Sequence, residues 1–298
     1  DQLYQMDFNE MIEAHIAAQA DISIATLPVN AKDAPEFGIL KTNSESCIEA
    51  FIEKPAAELL PQWESDVSDE MKAQGKHYLA SMGIYIFNRK LLVELMKNPD
   101  TKDFGKEIIP QAVGHQKILS YQYEGYWTDI GNIDSFFEAN IGLTDDIPQF
   151  NLFDNENKIY TRPRLLPPSK FQKTLIEKSL ISEGCILNAK EIKKSVIGIR
   201  SRIGVDTVIQ NSYVMGNDYY QSLEDMNEDI YNDKLLVGIG ERCFINNALV
   251  DKNVRIGNDV YINGGKHLEN CSNELYAVKD GIVVIKKGAI IPNNFVVK

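Results

Sequence analysis

Ile197-Gly198, Ile203-Gly204 and Ile209 stand six residues apart, and this step constrains the chain more than any other feature. It resumes at Ile239-Gly240 and Ile245, slips by one residue, and continues through Val250, Ile256-Gly257 and Ile262. Ile285, Ile291 and Val297 keep it in the tail, and Leu175, Ile181 and Leu187 carry it upstream. An α-helix cannot hold a six-residue stripe on one face, because its period is about 3.6. A three-sided coil of short flat strands can. One branched side chain per side points to the axis, and a small residue lets the backbone turn each corner. A hexapeptide β-helix is therefore predicted over 173–298, with MGNDYYQSLEDMNEDIYNDKLL (215–236) inserted between coils. The open ends of such a stack invite pairing with another chain, so oligomerisation is expected. Hexapeptide acyltransferases place a histidine base in a coil. Here only His267 lies in the repeat region, in GGKHLENCS and off the rhythm, so assembly is the stronger reading.

Residues 1–144 follow a different pattern. DISIATLPV (21–29), FGILKT (37–42), CIEAFIEKP (47–55), LASMGIYIF (79–87) and ILSYQYEG (118–125) read as strands. NRKLLVELMKN, the Asp103-capped DFGKEIIPQAV, and NIDSFFEANIGLT read as helices. Their interleaving predicts an α/β domain with a mostly parallel sheet. In the opening DQLYQMDFNEMIEAHIAAQ, Asp7 caps a helix with Phe8, Met11, Ile12, His15 and Ile16 on one face. The chain enters that pattern at Asp1 without an initiator methionine, which reads as the interior of a domain whose beginning lies upstream. Residues 56–76 are polar and aperiodic, a mobile surface loop. Residues 145–172, with four prolines and no sustained period, read as a linker.

The 31 basic and 43 acidic side chains give a net charge of −12, which argues against nonspecific binding to nucleic acid. No apolar run approaches the roughly 20 residues of a membrane span, and no basic-then-apolar leader opens the chain. Cys47, Cys185, Cys243 and Cys271 show no CxxC spacing, so reduced thiols and a cytoplasmic location are expected.

Several residues can carry chemistry. EKP closes the strand CIEAFIEKP, where α/β folds place ligands. Lys54 can hold a phosphate as a point charge, and Glu53 can accept from sugar hydroxyls. Alone, the same letters also read as a surface Glu–Lys pair before a turn. Ser81 in SMGIYIF offers a small hydroxyl at a strand start, and Gly38 permits close approach of a ligand to the backbone. Asp1 and Asp129 each stand at a strand end. Magnesium takes a few carboxylates plus phosphate oxygens, which suits such a pair, although spacing does not show that they meet. Asp129 in YWTDIGNIDSFFEAN reads equally as a turn residue.

Together DQLYQMD, EFGILK, FIEKP, LASMGIYIF, KDFGKEIIP, YWTDIGNIDSFFEAN, LPPSKF and DGIVVIKKGAIIP resemble the ADP-glucose pyrophosphorylase (glucose-1-phosphate adenylyltransferase) family, over essentially the whole chain. The resemblance implies a Rossmann-like nucleotidyltransferase domain, truncated at its start, followed by a left-handed hexapeptide β-helix. It implies Gly38, Glu53, Lys54 and Ser81 for glucose 1-phosphate. Asp1 would serve catalysis and Mg²⁺, and Asp129 would be the second Mg²⁺ ligand. The implied reaction joins glucose 1-phosphate and ATP to give ADP-glucose and pyrophosphate for glycogen or another α-glucan. The family's glycine-rich ATP loop is absent from these residues, so the 298 residues alone are expected to be inactive. Phosphorylated metabolite effectors, with Lys279 as a basic contact, and a homotetramer are implied as well. A uridylyl- or guanylyltransferase, or a noncatalytic regulatory subunit, is the alternative.

Overall fold

The computed structural model describes residues 1–97 and 103–298 and forms two compact units, Tyr4–Trp127 and Asp1–Leu3 with Thr128–Lys298. Asn98, the last residue of NRKLLVELMKN, lies outside the described residues.

The first unit opens with helix α1 (Phe8–Ala17), capped as expected by Asp7, whose carboxylate accepts from the Asn9 N–H at 2.8 Å. Strands β2 (Ile22–Asn30), β3 (Gly38–Thr42), β4 (Ile48–Glu53), β5 (Lys76–Phe87) and β6 (Ile118–Gln122) then form one sheet in the order β4-β3-β5-β2-β6. Here β1 denotes Gln2–Tyr4, which pairs with β7 (Trp127–Asp129) in a separate two-stranded ladder. The five strands match the five predicted, and α3 (Arg89–Leu95) and α4 (Ile109–Ala112) fold between β5 and β6. Their sheet is mixed rather than mostly parallel: only β2 and β6 run parallel, whereas β2–β5, β3–β5 and β3–β4 are antiparallel. The cause is local. Between β3 and β4 lie only residues 43–47, too few for a crossover, and Asn43 Oδ1 closes that turn on the Cys47 N–H at 3.0 Å.

Two further expectations are corrected. Residues 56–76 are not an aperiodic loop. A 3₁₀ segment (Ala57–Gln62) and α2 (Asp69–Ala73) fold there, and Leu60, Val67 and Met71 are buried, the last two against Leu79 of β5. The polar letters hid three apolar anchors. On α1 the apolar residues split into two faces: Met11 and His15 are buried, while Phe8, Ile12 and Ile16 are exposed.

The second unit contains the β-helix. Three sheets stack strands of two to four residues, all parallel except at one edge of one sheet, and the register pairs residues 16 or 17 apart, as in Leu187↔Ile203 and Ile192↔Ile209. The axial columns are Leu187, Ile203, Ile239, Ile256 and Ile291 on one side, and Ile192, Ile209, Ile245 and Ile262 on the second. Ile197, Val214, Val250 and Ile285 form the third, and the whole set is buried as a single cluster. Leu175 departs from the expected rhythm. It is 60% exposed, and Ile176 pairs with Ile192 in its place, because the sides vary between five and six residues.

The glycines that follow the axial isoleucines also act differently from expectation. A Cβ on Gly204 would lie 2.5 Å from the Gly240 carbonyl oxygen, and one on Gly240 would lie 2.4 Å from that of Gly257. They permit coil-to-coil contact. The corners are turned two residues later by left-handed Asp206 (φ 58°), Arg242 (φ 54°) and Asp259 (φ 58°). Hydroxyls satisfy the buried corners: Ser212 N–H donates to Ser195 Oγ and Ala248 N–H to Ser212 Oγ, both at 3.2 Å.

Helix α5 (Ile133–Gly142), capped by Asn132 through the Ser135 N–H at 2.9 Å, packs within this unit. Its Phe137 and Ile141 are buried with Leu249 and Ile282. Two insertions interrupt the coils. The expected one carries α6 (Leu223–Tyr231), and the other is a hairpin (Cys271–Ser272 with Tyr276–Lys279) that the hexad step does not signal.

Gly204→Ala is expected to lower stability by about 1–3 kcal/mol through overpacking against the next coil. Asp206→Gly, at a left-handed corner, is expected to change it by less than about 1 kcal/mol. Urea unfolding of the two variants checks this.

Candidate functional site

In the first unit the expected sugar-phosphate residues gather on the β3–β4–β5 side of the sheet. Gly38 and Glu53 are register partners, and Lys54 N–H donates to the Phe37 carbonyl oxygen at 3.0 Å. Gly38 is buried, and a side chain there would have to push its neighbours aside. A Cβ there would meet Phe51 Cζ at 2.7 Å and Glu53 Oε2 at 2.9 Å. Glu53 and Lys54 are exposed at the strand end. Lys54 has φ 47°, a left-handed conformation that a lysine adopts at a cost on the order of 1 kcal/mol. Pro55 follows and is buried, so the strained turn is anchored from behind.

SMGIY has a structural explanation. Thr26 pairs with Ser81 and Ile24 with Tyr85, so three residues of β5 face the single Ala25 of β2. This bulge requires Gly83 at φ 71°, and bulges re-aim the side chains that flank them. Ser81 and Tyr85 flank this one, and the Tyr85 hydroxyl hydrogen-bonds Ser81. Burial pushes the Tyr85 phenol above its ordinary pKa, the Ser81 hydrogen bond opposes this, and the charges of Glu53 and Asp103 push it further up. The hydroxyl therefore stays protonated around neutral pH and can donate.

Sequence reasoning missed Tyr85, Asp103 and Phe104 here. Phe104 stacks on Tyr85 with centroids 5.7 Å apart at 17°, and Asp103 accepts from the Lys106 N–H at 2.9 Å. A Cβ on Gly105 would lie 3.5 Å from Asp103 Oδ1 and 3.8 Å from Glu53 Oε2, so the two carboxylates border one glycine-floored space. Trp127 packs edge-on against Phe37 at 5.5 Å, and its buried Nε1–H has no acceptor among the described residues. Their motifs, DFG and YWTD, were legible as letters. What no spacing disclosed was that a bulge turns Tyr85 toward Asp103. Two carboxylates, a protonated phenol and flat aromatic walls can together recognise a polyhydroxylated ring, whereas Trp127 packs away from them with Met11, Ala25 and Met82.

The aspartates belong to the second unit. Asp129 ends β7, and the Ile130 N–H donates to the Asp1 carbonyl oxygen at 3.0 Å, so the chain leaves both aspartates at adjacent points of the ladder. Both are exposed. Asp129 Oδ1 accepts from the Gly131 N–H at 2.8 Å, a turn role that leaves Oδ2 available. Two hard carboxylate donors fit magnesium, which keeps waters and takes phosphate oxygens for its remaining positions. Among the described residues no group of three or more His, Cys, Asp or Glu forms a closed metal cage.

Lys279 is half exposed on the hairpin and pairs with Asp280 at 3.2 Å. Asp280 in turn lines a cleft of about 580 Å³ in the same unit, with Lys194, Asn246 and Lys266 on the coils and Asp134 and Glu138 on α5. The four cysteines are free, and among the described residues no helix is long and apolar enough to cross a membrane.

Against this geometry, two family models match. Residues 1–146 match Nucleotidyl transferase, and residues 164–296 match the GLGC left-handed parallel beta-helix domain. The chain is thus a nucleotidyltransferase domain followed by a left-handed β-helix, and the pair points to the glucose-1-phosphate nucleotidyltransferase family.

Gly38→Ala is expected to displace the Phe51 ring or the Glu53 carboxylate and to cost about 1–3 kcal/mol. Denaturant unfolding measures the loss, and unchanged stability would show that the strand opens freely at this point.

Proposed function

We propose that this nucleotidyltransferase moves the AMP group of ATP onto glucose 1-phosphate, giving ADP-glucose and pyrophosphate for glycogen or another α-glucan. The observation that carries this reading is the grouping of Gly38, Glu53 and Lys54 with Ser81, Tyr85 and Asp103 around one glycine-floored space. A sugar 1-phosphate offers hydroxyls at one end and a dianion at the other. Glu53 and Asp103 accept from ring hydroxyls, the Tyr85 hydroxyl donates, and Lys54 holds the phosphate.

The sugar phosphate is already an anionic nucleophile and needs no strong base. Its attack on the α-phosphorus of ATP forms one P–O bond and breaks the bond to pyrophosphate, which leaves in line. The obstacle is repulsion between anions. Lys54 offsets it at the sugar phosphate, and Asp1 and Asp129 would hold Mg²⁺ for the nucleotide phosphates. Bound Mg²⁺ supplies charge neutralisation and orientation of phosphate oxygens. We further assign Lys279 to a phosphorylated metabolite effector, the active assembly to a homotetramer, and the location to the cytoplasm. The free cysteines support that location, and the half-exposed position of Lys279 beside the cleft supports the effector role. None of the 19 glycines falls in a glycine-rich phosphate loop, so the 298 residues alone are expected to release no pyrophosphate.

Calorimetric titration with glucose 1-phosphate tests the sugar-phosphate half. Lys54→Ala is expected to weaken binding by about tenfold or more, since a charge-assisted hydrogen bond contributes about 1.5–3 kcal/mol. Equal binding by parent and variant sinks the assignment. Trp127→Phe is expected to leave binding unchanged and urea stability unchanged or raised, because it removes an unpaired buried donor that lies away from the site. Incubation with ATP, UTP or GTP and assay for pyrophosphate tests the expected inactivity, which appreciable release with any of them refutes.

A further inference from the structure

Two oppositely charged strips lie side by side on the second unit. Residues 158–173 (KIYTRPRLLPPSKFQK) carry five cations and no anion, whereas residues 222–233 (SLEDMNEDIYND), which include α6, carry five anions and no cation. Both strips are apolar as well as charged. Tyr160 is 92% and Leu165 95% exposed on the first, and Leu223 is 77% and Tyr231 89% exposed on the second.

Within one chain the two strips are neighbours that do not neutralise each other. Leu166 and Tyr220 both close on Gly184, with the Tyr220 hydroxyl donating to its carbonyl oxygen at 2.9 Å. Lys170 begins the strand ladder Lys170↔Ile186↔Arg202, and Arg202 reaches Met226 of α6. Asp229 is taken by Arg255 at 2.6 Å, which fastens α6 down by its inner face. Glu224, Glu228, Arg162 and Arg164 have no ion pair among the described residues and face outward.

We propose that this double strip is an interface with a second copy of the chain, in which α6 of one copy lies along residues 158–173 of the other and the reverse. Adjacent, complementary halves on one side of a subunit are what a two-fold axis needs, because each half then meets its opposite. Association places the exposed tyrosines and leucines against each other while the charges fix the register. The proposal rests on the oligomer reading only in requiring more than one copy, and it is independent of the reaction.

Sedimentation velocity with charge reversal tests it. Glu224→Lys with Glu228→Lys lowers the α6 strip from five negative charges to a net of one, and Arg162→Glu with Arg164→Glu lowers residues 158–173 from five positive charges to a net of one. Each variant is expected to raise the dissociation constant of this contact by at least about tenfold, more at low salt than at high. An equimolar mixture of the two variants is expected to restore it, because one crossed contact then joins the two unaltered strips and the other sets the new lysines against the new glutamates. The substituted side chains are exposed, and unchanged circular dichroism confirms folding. Variants that sediment like the parent, or a mixture that does not recover, overturn the interface while leaving other oligomeric contacts standing. A parent that remains monomeric at about 100 µM, where even weak contacts are populated, overturns both this interface and the oligomer reading. It would assign the strips to a different partner.

Discussion

Coil-on-coil register is the constraint on which the second unit depends. Once Ile209 stacks on Ile245, and Val250 on the third side stacks on Ile285, alternation along each short strand decides what points outward. On the third side the outward column is Tyr213, Leu249 and Val284. That column is the seat of α5, which buries Phe137 and Ile141 there. The helix is capped at Asn132, three positions after Asp129. A slip of one residue would turn the isoleucines outward, remove the seat of α5 and leave the Asp129 turn without its neighbour. The carboxylate is thus held from the coil interior outward.

In the first unit a comparable dependence runs through backbone irregularity. Gly83 at φ 71° opens the bulge, Gly38 lets Phe51 and Glu53 approach, and Lys54 sits at φ 47°. None of these is favourable for a regular sheet. Regular β5 would alternate Ser81 and Tyr85 on the same face at fixed spacing, with no freedom to bring the phenol beside the serine hydroxyl. The sheet keeps its core through the buried β2, and concentrates its departures where polar side chains converge.

The sequence made the β-helix legible because each axial position repeats a single requirement, one aliphatic group per side. It also disclosed the caps Asp7 and Asp103, whose side chains do accept backbone N–H groups of the first turn. Leu175 misled because it and Ile176 are both aliphatic, and a fixed step of six cannot register a five-residue side. Residues 56–76 misled because three anchors among polar letters have no period. Strand direction was illegible for a deeper reason: interleaved strands and helices suggest crossovers, but pairing partners are chosen by long-range packing. Lys54, Glu53 and Ser81 could be named from letters, whereas Tyr85 joined them only through a kink in the backbone.

Contacts in the two units span very different distances along the chain. Ile22 pairs with Ile118, 96 positions on, whereas most coil contacts reach only to the next turn, 16 or 17 positions away. Where α6 intervenes, Ile203 still meets Ile239 in step, so the extra residues are looped out without disturbing the stack. Cooperativity must differ accordingly. The mixed sheet gains or loses its long-range pairings together, while the coil is a linear array whose stability is a sum over nearest neighbours. Damage in one rung of that array weakens its two flanking rungs and fades beyond them, so the end coils fray first and the central ones persist.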